Sequence, residues 1–556
     1  MPQFVALCAM PYTPKLAPDH NLSGWPSGIA NIVGNEGAER FSFYGMKAIL
    51  YIYLTTLIQH TGILEQAAKA EATHTVHLFI AGVYAFPVLG AIIADKLLGK
   101  YQTIIWLSLV YCMGHAFLAF FEGSLGGTYT GLALISIGAG GIKPCVSAHV
   151  GDQFGKKNFH LINKVFQVFY FIINFGSFFS TLIVPVLNAK YGPGVAFGLP
   201  GILMAIATFI FWLGRKKFVH VPPNPGGKLG FLDTLVGFCL FTPLFMLLFA
   251  PDVGINSTGL RFILSGVGIA AGIGVFSYRQ NISEDDGFLA ILLYSIKSKF
   301  IKTGHELGGQ NKPKIDPGHL ANHWFFGAAA KKYGSDIAEG PLAVFRIISV
   351  FFMVSVFWML FDQHSSTWVE QAKQMNRHMT VLGWTWNPLP SQVSAVNPIM
   401  VMALIPIMVF GVFPFVEKIG IKLTPLRKMS AGMMLAGTAF IAVAMIQSQI
   451  ETVGVNKVPI GWQLIPYALM TLSEVLVSIT GLEFAYTQAP KRMKSIVMSF
   501  WNLCVSFGNW GVALLAHRWA ELPLSESFWM FAAMMFAAGA LFTIRSFFYK
   551  YKSYTQ

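Results

Sequence analysis

Charge is scarce in this chain. Asp, Glu, Lys and Arg make up 12% of its 556 residues, about half the ~25% usual in soluble domains. A disordered chain needs the opposite balance, high charge with low hydrophobicity. A soluble enzyme could not cover the apolar surface that a 54% hydrophobic composition brings. Acid is scarcer than base, 25 against 39, for a formal net charge of +14. Such an excess fits nucleic-acid binding or the cytoplasmic loops of a membrane protein, and topology decides between them. Cysteine is scarce too. There are five, none in a CxxC spacing and four in apolar runs, which argues against a disulfide framework or a zinc cluster. The N-terminal stretch MPQFVALCAMPYTPKLAPDHN has no basic region ahead of its apolar residues and does not read as a cleaved signal peptide. A nucleophile–base pair and a Gly-rich phosphate loop are also missing, so no enzymatic activity is expected.

What the chain does have is long apolar runs. Spans of ~20 residues can cross a bilayer, and fourteen are predicted, at 27–57, 73–94, 102–121, 127–147, 163–188, 196–214, 231–250, 259–278, 342–365, 397–416, 429–448, 461–486, 495–516 and 526–548. With the N-terminus inside, the outer loops carry Lys69, Lys190, Arg261, Lys373, Arg377, Lys457 and Arg518. Apart from four bases within spans, all other Lys and Arg fall inside. This bias places both termini in the cytoplasm and explains the net charge without nucleic acid.

The predicted fold is an all-α polytopic membrane protein. A cytoplasmic segment (1–23) precedes a six-helix bundle (24–217), a linker (218–340), a second six-helix bundle (341–548) and a tail (549–556). The linker holds a two-helix insert near 231–278 and a polar loop with Lys297, Lys299, Lys302, Lys312 and Lys314. Its stretch from Phe288 to Phe300 is expected as an amphipathic helix on the inner membrane surface. Gly90-Ala-Ile-Ile-Ala-Asp95-Lys96-Leu-Leu-Gly99-Lys100 follows the second span, and Glu417-Lys418-Ile-Gly420-Ile-Lys422 follows the second span of the second bundle. Acid, Gly and base at the same place in both halves resemble the loop signature of the major facilitator superfamily. Its 6+6 halves rock around a midplane site.

Charges within a span cost at least ~2.5–3.5 kcal/mol each. The first span carries Glu36, Glu39, Arg40 and Lys47 on one face. Either a helix start among headgroups or a built charge cluster accounts for them; four charges on a helix running to Leu57 favour the cluster. Lys143, at the end of Gly140-Gly141-Ile142-Lys143-Pro144, either snorkels to the inner interface or faces a site. Glu474 lies midway in its span, far from any interface, and needs a cation or a proton. Arg346 and Asp362 share a span but stand about 24 Å apart. Asp362 and His77 both reach the outer mouth, where His titrates near neutral pH.

Glu36-Gly-Ala-Glu39-Arg40-Phe41-Ser-Phe43-Tyr44-Gly45 resembles the ExxERFxYYG signature of the proton-dependent oligopeptide transporter family. Phe169-Tyr170-Phe-Ile-Ile-Asn174-Phe-Gly176-Ser177 is similar to that family's FYxxINxGS stretch. Gly140 to Phe154, Phe357 to Gln363 and Gly481 to Pro490 resemble animal peptide transporters, whereas the two-helix insert resembles prokaryotic members. The resemblance implies a monomeric bacterial inner-membrane symporter that imports di- and tripeptides with protons and needs no other cofactor.

It also implies roles for residues. Glu36, Glu39, Arg40, His77 and Asp362 would couple protons. Lys143 and Glu474 would pair across the halves when empty and address opposite ends of a bound peptide. Lys47 would lie near the peptide carboxylate, and Asn174, Asn397 and Glu474 near its amine. Tyr44, Tyr84, Tyr170, Trp358 and Trp501 would line the pocket, and Arg346 would serve the inner gate. Two positions depart from the pattern: Phe43 replaces a Tyr, and Lys47 replaces an Arg with its bidentate geometry. His77 stands where many bacterial members have no His. The alternatives are a proton-coupled carrier of a modified peptide, an amino acid, nitrate or a drug, and a non-transporting membrane sensor. The intact charge set favours peptides, because a nitrate site has no need of a buried acid for an amine.

Overall fold

The computed structural model describes residues 14–300, 318–381 and 383–552. Lys302, Lys312, Lys314, most of the predicted N-terminal segment and the last four residues of the predicted tail lie outside them. Fourteen long helices follow one another: α1 Ile29–Gln59, α2 Glu65–Leu98, α3 Lys100–Phe120, α4 Leu125–Asp152, α5 Phe159–Tyr191, α6 Pro193–Lys216, α7 Gly227–Leu248, α8 Thr258–Ile282, α9 Ser335–Lys373, α10 Pro390–Lys418, α11 Pro425–Val453, α12 Ile460–Ala485, α13 Lys494–Trp519 and α14 Leu524–Phe547. Thirteen are long and apolar enough to cross a membrane. The exception is α13, predicted as a span at 495–516. It carries Asn502, Ser506 and Asn509 because one of its faces lines a seam between bundles.

One buried core joins α1 to α6 and another joins α9, α11, α12, α13 and α14. Helix α1 is the most enclosed, while α8 and α10 are the most exposed. Their outward side chains, such as Phe262, Ile263, Val267, Ile407 and Phe410, suit a lipid surface. Close crossings depend on glycine. A Cβ on Gly90 of α2 would overlap the Gly140 carbonyl of α4, so bare backbone lets these helices meet and sets Lys143 against the bundle centre. Three helices contain a widened π turn: Ala94–Leu98 in α2, Ile407–Val412 in α10 and Val475–Ile479 in α12.

Some expectations change. Helix α2 begins at Glu65 rather than near 73, so its first two turns overhang the apolar layer and carry Glu65, Lys69 and Glu71. The helix Phe288–Phe300 forms as expected, but its Ala290 and Ile291 pack on protein: the insert on one side and the second bundle on the other. A short hairpin, β1 Met379–Val381 and β2 Trp384–Trp386, occupies the loop before α10.

Both ends of the described chain lie on one face, here termed inner. Hydrogen bonds and ion pairs between the bundles run from the outer ends as far as Lys47, Ala81 and Leu182. Among the described residues, none joins the bundles nearer the inner face. Apolar contact continues further in, where Phe86 and Leu89 of α2 share a cluster with Phe500 and Leu503 of α13.

Candidate functional site

The first charge cluster sits on α1 and α4. Arg40 Nε lies 2.8 Å from Glu36 Oε1 and 3.3 Å from a Glu39 oxygen. Lys143 Nζ lies 3.4 Å from the other Glu39 oxygen and 4.5 Å from the centre of the Phe43 ring, with the Tyr84 ring on a further side at 5.6 Å. Glu39 is fully buried and Glu36 nearly so. Two acids and two bases make the cluster neutral overall, which is what makes four charges at this depth tolerable. The i, i+4 spacing of Glu36 and Arg40 supplies the geometry. The Glu39–Lys143 pair is different: among the described residues neither Glu39 oxygen nor the Lys143 ammonium makes a hydrogen bond of ordinary geometry. Charge holds the pair and geometry does not, so it can re-pair at low cost.

The second cluster closes the outer seam. Lys47 of α1 donates to Asp362 Oδ1 at 2.7 Å, with both side chains buried. Asp362 Oδ2 accepts from Asn509 Nδ2 of α13 at 2.8 Å, and Asn509 Oδ1 faces His77 Nδ1 of α2 at 2.7 Å. A carboxylate only accepts, so it fixes the Asn509 amide orientation. That amide oxygen in turn requires the proton of His77 to sit on Nδ1. His77 Nε2 meets Ser366 Oγ at 2.9 Å, and Ser366 also reaches Gln363 Oε1 at 3.4 Å. With His77 neutral, Ser366 donates to it. With His77 protonated, the hydroxyl can turn to Gln363 and accept instead. The gate therefore holds either protonation state by rotating one hydroxyl.

Beside the second cluster lies a partly open cleft lined by Tyr44, Lys47, Ser177, Thr181, His364 and Asn397 among others, with neither Lys143 nor Glu474 in its wall. Asn397 of α10 donates to Glu474 Oε2 at 2.8 Å and to Thr471 at 3.1 Å. Glu474 is followed at once by the π turn of α12, a feature often found at functional positions. Trp358 and Trp501 stand edge to face, 6.3 Å between centres. Gly481 makes room for Trp501, since a Cβ there would overlap the indole. Asn174 turns its amide to the Tyr170 carbonyl of its own helix at 2.9 Å. Arg346 is exposed near the inner end of α9 and, among the described residues, is in no ion pair.

The structure adds detail to three expectations. Lys143 and Glu474 do not pair in this conformation, because Lys143 is held by Glu39 and Glu474 by Asn397. Lys47, expected near the peptide carboxylate, is engaged by Asp362. His77 and Asp362 do not meet directly but through Asn509. Sequence reading passed over Asn509 and Ser366, and also Lys69 of α2, which reaches Glu370 of α9 at 2.6 Å. An Asn in the middle of an apolar run was the available signal for Asn509.

The family described as PTR2, POT family, matches residues 101–232 and 314–530, more than half of the chain. The chain belongs to the POT family. Among its relatives, human solute carrier family 15 member 2 is 32% identical over 443 residues, 77% of this chain and 50% of that protein. Peptide transporter family 1 of Drosophila melanogaster is 32% identical over 451 residues, 78% of this chain and 49% of that protein. The chain thus spans about half the length of the curated relatives it matches. Among solved structures, the POT family transporter PepTSo is 38% identical, covers 94% of this chain and 98% of its own, and has a TM-score of 0.72. An auto-inhibited POT family peptide transporter is 36% identical, with 96% and 99% covered and a TM-score of 0.75. The fold, including the inserted helix pair, is that of POT family transporters.

Proposed function

We propose that the chain is a proton-coupled symporter that imports di- and tripeptides by alternating access. The observation that carries this reading is how charge is divided between the two bundles. The first bundle offers Lys47 and Lys143, each held by an acid that a proton could neutralise. The second offers Glu474, hydrogen-bonded to an amide and without a cation among the described residues. A zwitterionic peptide supplies what each side lacks, a carboxylate for a lysine and an amine for Glu474. Protonation of Glu39 or Asp362 frees Lys143 or Lys47 for the carboxylate and so ties proton entry to substrate entry. Fixing both termini selects length, while a wet pocket lined by Tyr44, Tyr84, Tyr170, Trp358 and Trp501 tolerates varied side chains. Asn174 would help hold the amine by releasing its own helix.

Glu36, Glu39, Arg40, His77 and Asp362 are the proposed proton-coupling groups, with Arg346 at the inner gate. Protons are the coupling ion and no other cofactor is proposed. The bundles 24–217 and 341–548 are the proposed rocking units. The inner face is assigned to the cytoplasm from the Lys and Arg bias, and the two-helix insert supports a bacterial inner membrane. The protein is proposed to work as a monomer, and it is proposed not to be an enzyme.

The test is uptake of labelled dialanine into proteoliposomes, with and without an inward proton gradient. Gradient-driven accumulation in wild type that Glu474→Gln abolishes is the expected result. No uptake by correctly oriented wild type would remove dialanine, and uptake indifferent to the gradient would overturn the coupling.

A further inference from the structure

The insert reaches the outer seam through a single acid. Helices α7 and α8 are joined by a tight turn, with Ile255 N–H bonded to the Ala250 carbonyl and Asp252 N–H to the Phe249 carbonyl. Arg261 fastens the turn by donating to the carbonyls of Ile255 and Asn256. The turn thus presents Asp252 in a fixed position. Its Oδ1 lies 2.6 Å from His74 Nε2 of α2, while His74 Nδ1 lies 2.8 Å from the Ala513 carbonyl of α13. One imidazole therefore ties together the first bundle, the insert and the second bundle.

Both partners of that imidazole are acceptors. A carbonyl has no proton to give, and neither has an ionised carboxylate. A neutral imidazole has one N–H and can satisfy one of them; the other contact then sets lone pair against lone pair. Both bonds form together only when the group carries one further proton, as imidazolium beside carboxylate or as neutral imidazole beside carboxylic acid. His77 differs, since Ser366 there can switch between donor and acceptor; His74 has no partner that can switch. The neighbouring titratable and charged groups are Glu71 and His77 on its own helix, Tyr129 on α4, Asp252 and Arg261 on the insert, and His517 on α13. The His517 ring centre lies 5.9 Å from that of His74, and its Nε2 lies 3.2 Å from Glu71.

The insert is placed to stay with the first bundle. Phe249 stacks on Phe86 of α2, 5.9 Å between centres. Gly230 lies against the Lys96 carbonyl, where a Cβ would overlap it. Opening the outer seam separates α2 from α13, so the bond that must break is the one to Ala513.

We infer that Asp252, His74 and the Ala513 carbonyl form a proton-dependent latch on the outer seam, in which the inserted helix pair serves to hold His74 in its two-bond state. Proton uptake from outside closes the latch; proton loss leaves His74 on one partner and releases α13. His74 and Asp252 act as positioning residues for the gate rather than as substrate contacts. The latch rests on the alternating-access reading but not on the identity of the substrate.

The test needs no substrate. Spin labels placed at Leu64 and Glu521, both exposed at the outer ends of α2 and α13, report the width of the seam by pulsed electron resonance as pH is raised from 5 to 8. Wild type is expected to pass from a short to a longer distance. Asp252→Asn carries an amide that can donate to Nε2, which leaves the Nδ1–H of neutral His74 on Ala513, so its distance should stay short up to pH 8. His74→Gln has a donor and an acceptor at fixed protonation and should lose this transition. A wild-type distance indifferent to pH overturns the latch. So does an Asp252→Asn or His74→Gln variant that still opens at the wild-type midpoint. Failure of dialanine uptake with the transition intact would count against the substrate alone.

Discussion

In the first bundle, Glu36, Glu39, Arg40 and Lys143 lie within ion-pair reach of one another; in the second, Glu474 is bonded to Asn397, which is bonded in turn to Thr471. The first arrangement neutralises itself, so its charges can stay buried through a cycle and exchange partners. The second leaves an acid that only an arriving cation can match. The proposed carrier needs both, a reservoir of exchangeable pairs and one group whose need is met only by cargo or proton.

The contrast can be broken most forcefully at Lys143. Lys143→Ala strips Glu39 of one of its two bases and should cost about 3–5 kcal/mol, read as a lowered Tm in detergent; adding Glu39→Gln should recover most of that stability but no uptake. Next comes Asp362→Asn, which leaves Lys47 buried without its acid. The outer seam should open by about 3 kcal/mol, visible as a longer distance between labels at Leu64 and Glu521. Asn509→Ala is milder. It breaks the relay between His77 and Asp362 at a cost of about 1–2 kcal/mol and should change the dependence of uptake on external pH more than KM for the peptide. Glu474→Gln sharpens the comparison from the other end. It keeps a hydrogen-bonding partner for Asn397, so Tm should change by less than about 1 kcal/mol equivalent while gradient-driven uptake disappears.

Much of the architecture was legible because apolar runs of spanning length are hard to disguise. Charges inside those runs were legible for the same reason: their cost marks them. Their partners were not. Lys47 and Asp362 are separated by more than half the chain, and the contact is set by how two bundles close, which no local spacing encodes. Lys143 was expected opposite Glu474, yet in this structure the acid it meets is Glu39. The polarity of α13 shows the same limit. Asn509 was passed over inside a predicted span, and the seam it lines explains its presence. The insert had no role to read from sequence, because Asp252 has meaning only where the turn places it against His74.

The π turns have a mechanical consequence. A helix in a bilayer cannot simply bend, because each backbone group it uncovers has no water to turn to. A widened turn holds one residue of slack, and that slack can travel or tighten while every carbonyl keeps a partner. Helices α2, α10 and α12 each carry such a turn, and that of α12 follows Glu474 directly. The part of α12 beyond Glu474 can therefore rotate and shorten while the acid keeps its place beside Asn397. In the transport cycle proposed above, the cargo site stays still and the gate beneath it supplies the movement.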